Sequence, residues 1–221
     1  MDKLKNYANY IAPNEGNFEP VVDEQKKTIT INAVYYTAEE NKEYLQKAID
    51  AWNAKSGEYH YIDDTQTYDI IFNLSIDNES FTDSDAAAKA YRTNIKSRQA
   101  NYYQVNNPGK HPVTSIPVLG KTENGNIITV KNSADVRTIM HEIGHTLGLK
   151  EWSTGLMESG GKEITISQKN ITAILRITGI GNPTDNKQYP HYELPINPNS
   201  ENHIGKPSRI YKMNTGRVTK K

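Results

Sequence analysis

The stretch from Ser133 to Gly148 constrains this chain more than any other, because it specifies a helix with two faces of different chemistry. Val136, Ile139, Met140, Ile143 and Leu147 recur at helical spacing and form one apolar stripe, the face that seeks a core. His141 and His145 lie one helical turn apart, which stacks them with Cβ atoms roughly 5–6 Å from each other. At about 100° per residue they fall on the side away from the stripe, so they look into a cleft or solvent while the other side anchors the helix. Ser133 is placed to cap the helix. Gly148 can take positive φ and turn the chain sharply, which frees Glu151 to swing back toward the histidines.

Two stacked imidazoles can chelate one zinc ion at about 2.0–2.1 Å per nitrogen. Glu142 lies between them in sequence and points beside the metal. There it can take a proton from a zinc-bound water, whose pKa the ion lowers toward about 7. An ordinary helix with two exposed histidines would also contain His-x-x-x-His. The glutamate in second position and the core stripe opposite favour the metal site. The chain has no cysteine, which excludes disulfides and thiolate zinc sites and leaves histidine, carboxylate, carbonyl or water as ligands.

The rest of the chain supplies a scaffold. Residues 1–26 are polar, with Pro13, Gly16 and Pro20, and read as an arm or linker. Thr28 to Tyr36 alternates as a strand. A helix is expected from Thr37, which has capping-box spacing to Glu40, with Tyr44, Leu45, Ala48, Ile49 and Trp52 as its apolar stripe and Gly57 as its stop. Tyr68 to Ile76 reads as a second strand, and Ala86 to about Lys96 as a short helix capped by Ser84. Ser115 to Leu119 and Asn126 to Val130 look like a strand pair around Glu123-Asn124-Gly125, since Asn-Gly is a strong hairpin signal. A last helix is expected from Ser167 to Thr178, with Ile171, Ile174 and Leu175 on one face. Residues 181–221, rich in Pro and Asn, read as an extended polar tail. The order implies an α/β (α+β) domain with one sheet and the motif helix packed beneath it.

His141-Glu142-Ile143-Gly144-His145-Thr146-Leu147-Gly148, followed by Met157, resembles the metzincin clan of zinc peptidases, closest in style to the matrixins. The resemblance is strong over residues 133–157 and extends loosely to the helix after Ser167. It implies a twisted mixed sheet over an active-site helix in a catalytic domain of residues 27–180. The N-terminal subdomain would span about 27–148, and a small C-terminal subdomain with one helix about 149–180. It implies one catalytic Zn2+ on His141 and His145, Glu142 as general base, Gly148 at the sharp turn and Met157 in a turn under the metal. Where the family has a third histidine this chain has Glu151, and two histidines plus one glutamate is a legitimate catalytic zinc set. The alternative is a solvated Glu151, with His191, His203 or water completing the site. The family binds substrate as a strand along the sheet edge, for which Ser115–Leu119 is the candidate, with residues 153–165 walling a side-chain pocket.

The resulting expectation is a zinc endopeptidase that acts on protein or peptide substrates. The alternatives are a non-catalytic metal-binding or interaction domain with a degenerate site, and a metal-dependent hydrolase of other bonds. Lysine plus arginine and aspartate plus glutamate each number 26, which gives no reason to expect nucleic acid as partner. Six basic residues from Lys206 to Lys221 fit a solvated tail. Residues 77–85 are rich in Asp, Asn, Ser and Thr but lack EF-hand spacing, which leaves Ca2+ unsupported. No apolar run reaches the roughly 18 residues of a membrane span. The N-terminus has no signal-peptide pattern, which would suit a released effector or toxin domain, secreted or delivered outside the producing cell and held in check by an inhibitor or immunity protein. Oligomeric state and cleavage specificity are not legible.

Overall fold

Alternation in Thr28–Tyr36 makes a strand (β2) with two buried faces. Ile29, Ile31, Ala33 and Tyr35 face one core, and Val34 and Tyr36 face another. The computed structural model describes residues 17–63, 66–94, 99–111, 115–151, 155–158, 160–177 and 217–221. Among them eight strands form one mixed sheet. These are β1 (Glu19–Asp23), β2, β3 (Tyr59–Asp63), β4 (Gln66–Ile76), β5 (Ala100–Val105), β6 (Gly120–Glu123), β7 (Ile127–Val130) and β8 (Arg217–Lys220). The order is β6-β7-β5-β2-β4-β3-β8, with β1 also paired to β2. β4-β2-β5-β7 are mutually parallel; β6, β3, β8 and β1 join antiparallel.

Four α-helices accompany the sheet in the described residues: α1 (Lys42–Asn53), α2 (Ser84–Asn94), α3 (Val136–Thr146) and α4 (Gln168–Ile177). The chain is thus a mixed α/β protein of α+β character. α1 and α3 bury Leu45, Ile49, Trp52, Ile139, Met140 and Ile143 against one face of the sheet. α2 packs Ala87, Ala88 and Tyr91 against Tyr36 and Tyr102 on the other face. The Trp52 indole N–H donates to the Met140 carbonyl at 3.1 Å and ties α1 to α3 inside the core. None of these helices is long and apolar enough to cross a membrane.

Several boundaries differ from expectation. α1 begins at Lys42 rather than Thr37, because Ala38 continues as extended chain and bridges Phe81 before a 3-10 turn at Glu39–Asn41. Tyr44 of its expected stripe is 55% exposed, while the other four members are fully buried. The hairpin turn lies where Asn124 (φ 52°) and Gly125 (φ 71°) place it. Its first strand is Gly120–Glu123, not Ser115–Leu119, since β6 abuts the turn directly and pairs Glu123 with Ile127. Asp83 caps α2, its Oδ1 accepting from the Ala86 N–H at 2.8 Å, in place of Ser84. The expected arm contributes β1 and the fully buried Phe18, and the expected tail contributes β8. Residues 1–16 and 178–216, including His191 and His203, lie outside the described residues.

Candidate metal centre

α3 is started by Asp135, not Ser133. Its carboxylate accepts from the Thr138 N–H and hydroxyl, each at 2.8 Å. The Thr138 backbone bond leads among the influences that hold this carboxyl below its ordinary range. The helix is stopped by Gly148 at φ 81°. Gly148 N–H donates to His145 O and Leu149 N–H to Gly144 O, both at 2.9 Å, a Schellman arrangement with the apolar Leu149 buried behind it. The turn also serves the site, because the Leu149 carbonyl it presents accepts from His145 Nδ1 at 2.7 Å. On the next stretch of chain the Leu156 carbonyl accepts from His141 Nδ1 at 2.8 Å.

Those two carbonyls decide the histidine tautomers. A carbonyl can only accept, so each Nδ1 carries the hydrogen and each neutral ring leaves its lone pair on Nε2. The two Nε2 atoms face each other at 3.1 Å. Glu151 Oε1 lies 3.2 Å from the first and 3.5 Å from the second. Three lone-pair donors converge with no hydrogen of their own to share. Such a cluster needs a cation or a proton at its centre. The spacing fits a tetrahedral metal, for which bonds of about 2.0–2.1 Å put neighbouring ligands about 3.3–3.4 Å apart. His141, His145 and Glu151 are the group in the described residues whose donor atoms, all within 4.8 Å of one another, could hold a metal ion.

Burial differs across the three. His141 is 6% exposed. The His145 and Glu151 side chains are 21% and 55% exposed, so the open side of the centre is the glutamate side. Burial alone would raise the Glu151 carboxyl, but when protons occupy the Nε2 positions the hydrogen bonds and charge of the two imidazolium rings win and bring it down to about 2. For His145 burial opposes the charged form, yet the Glu151 and Glu142 carboxylates push its pKa up.

Glu142 is 5% exposed, and burial pushes its carboxyl well up, with His145, the Thr122 hydroxyl and His141 pulling partly back. Thr122 Oγ1 donates to Glu142 Oε2 at 2.7 Å, so β6 holds the carboxylate from the strand side. Gly120 on the same strand leaves room for it: a Cβ there would lie 2.6 Å from Glu142 Oε1. Thr122 and Gly120 escape sequence reasoning because they belong to a short polar strand with no apolar alternation.

Met157 is fully buried beneath the helix turn that carries both histidines. Its Sδ would lie 2.5 Å from a Cβ on Gly144, so the glycine inside the motif is what lets the methionine close in. The structure brings together His141, Glu142, His145, Glu151, Gly148 and Met157.

No family model matches the chain, and no curated protein does. Among solved structures, one described as "Structure of a chaperone-substrate complex" aligns at a TM-score of 0.30 with 15% identity, over 62% of this chain and 27% of that one. The likeness is too slight to carry an argument about fold or function.

Proposed function

We propose that this protein is a zinc-dependent endopeptidase of metzincin type, with His141, His145 and Glu151 holding one zinc ion and Glu142 acting as general base. The observation that carries the proposal is the convergence of three lone-pair donors at tetrahedral spacing on a helix that also bears a buried carboxylate. The turn at Gly148 that returns Glu151 to the histidines, and Met157 under Gly144, support the metzincin assignment over an unrelated metal site.

When bound, the zinc supplies a Lewis acid that polarises oxygen atoms at the centre. The protein's own groups do the rest. The Leu156 and Leu149 carbonyls keep both rings in the tautomer that presents Nε2. Glu142 accepts a proton from the attacking water on its carboxylate and passes it to the departing amine nitrogen. Its raised affinity for a proton suits that exchange. β6 ends the sheet, next to Glu142, and offers a backbone edge along which an extended peptide can lie.

The test is zinc content together with casein or gelatin cleavage for wild type, Glu142→Ala and Glu151→Ala. Wild type and Glu142→Ala should both bind zinc, while Glu142→Ala loses about 10²–10⁴-fold in turnover. Glu151→Ala should lose more zinc affinity than the roughly 10–100-fold typical of an outer partner. A zinc-loaded wild type that cleaves nothing across a broad peptide library would end the peptidase assignment. Unchanged affinity in Glu151→Ala would remove that residue from the ligand set.

A further inference from the structure

Arg137 stands on α3 one turn before His141. Its side chain reaches the segment beyond the Gly148 turn. Nη2 donates to the carbonyls of Leu156 at 3.0 Å and Glu158 at 2.6 Å, and Nε donates to the carbonyl of Glu163 at 3.3 Å. The first two carbonyls flank Met157. The Leu156 carbonyl is the same oxygen that accepts from His141 Nδ1. This segment runs outside the named helices and strands, where local turns supply the backbone bonds, the Gly161 N–H also donating to the Glu158 carbonyl at 3.1 Å. The chain also folds closely over the guanidinium, since a Cβ on Gly161 would lie 2.9 Å from Nη2.

We propose that Arg137 is a positioning residue of the metal centre: its guanidinium fastens three carbonyls of the 156–163 segment and so aims the Leu156 carbonyl that holds the His141 ring. The proposal rests on the metal-centre reading. Charged donors make stronger hydrogen bonds than neutral ones, and the planar fork of arginine can serve several acceptors at fixed angles. A lysine offers a single point charge on a flexible stem, which cannot grip both sides of Met157 and the Glu163 carbonyl together. Arg137 thereby couples a metal ligand to the loop on which Met157 rides, so the two keep one geometry.

The experiment uses the full chain as wild type, Arg137→Lys and Arg137→Ala. Zinc affinity is measured by competition with a chromophoric chelator, and the visible absorption of the Co2+-loaded protein reports coordination geometry. Far-UV circular dichroism monitors folding. Arg137→Ala should stay folded, bind zinc about 10–100-fold more weakly and shift the Co2+ bands, with Arg137→Lys only partly restoring either. Wild-type affinity and an unshifted Co2+ spectrum in both variants would overturn the proposal. Should Arg137→Ala fail to fold, Arg137→Lys decides on the same two readouts. Wild type that binds neither ion would overturn the metal-centre reading itself, and this proposal with it.

Discussion

Thr122 has one hydroxyl hydrogen, and the Glu142 carboxylate takes it at 2.7 Å, with the Glu142 carbonyl at 3.2 Å as a weaker second acceptor. The bond sets where the buried Glu142 carboxylate, the proposed general base, points without touching the candidate ligands. Thr122→Val keeps the shape of the side chain and removes the donor. It is expected to lower kcat by about tenfold, a part of the roughly 10²–10⁴-fold that a general base supplies, with zinc affinity unchanged. Thr122→Ser should retain most of the activity. Equal kcat in Val and Thr forms, measured on one peptide, would show that the hydroxyl does not aim the base. The convergence of His141, His145 and Glu151 was legible in the sequence because their spacing is a local property of one helix and one turn. Thr122 and Arg137 were not, since each works through contacts with segments that only the fold brings near.

At the scale of elements, α3 depends on what stands at its two ends. Asp135 accepts the Thr138 N–H, and Gly148 closes the other end. Since the Asp135 carboxyl is held below its ordinary value of 3.8, its stabilising contribution is complete above that value and is lost as pH falls through the lower folded one. Asp135→Ala is therefore expected to cost about 1 kcal/mol near neutral pH. The difference between the two proteins should shrink on acidification below about pH 3.8. Denaturant melts at both pH values check it, and a pH-independent difference would mean that the charged form contributes nothing. The helix itself was legible from its stripe, although the cap was read two residues early. β5 was missed because Ala100, Asn101, Tyr102 and Tyr103 are all buried, which erases the alternation that marks a one-faced strand. β3 is too short, and β1 too proline-interrupted, for local pattern to announce them.

Over the whole molecule, the strand order runs between two short polar strands, β6 beside the candidate metal centre and β8 at the far end. β8 pairs residues 217–220 with β3, buries Val218, and accepts at the Val218 carbonyl from Gln168 Nε2 at 2.8 Å. It thus clips α4 to the sheet. Deleting residues 217–221 should lower the melting temperature by several degrees, at about 2–4 °C per kcal/mol for a chain of this size. It should also uncover the edge of β3 and promote self-association visible by light scattering. A truncated protein as stable and monodisperse as the full chain would show that β8 is dispensable. No sequence pattern marks this strand, since four residues in a basic stretch acquire strand character only from the partner they meet. One further tie runs through the interior. The chain holds two tryptophans. With Trp152 changed to phenylalanine, tryptophan emission, excited at wavelengths the tyrosines do not absorb, comes from Trp52 alone, whose indole N–H is donated to the carbonyl one residue before His141. Any change of the helix at that point alters the indole's surroundings and hence its fluorescence, so binding at the proposed centre is expected to register in dilute solution with no dye attached.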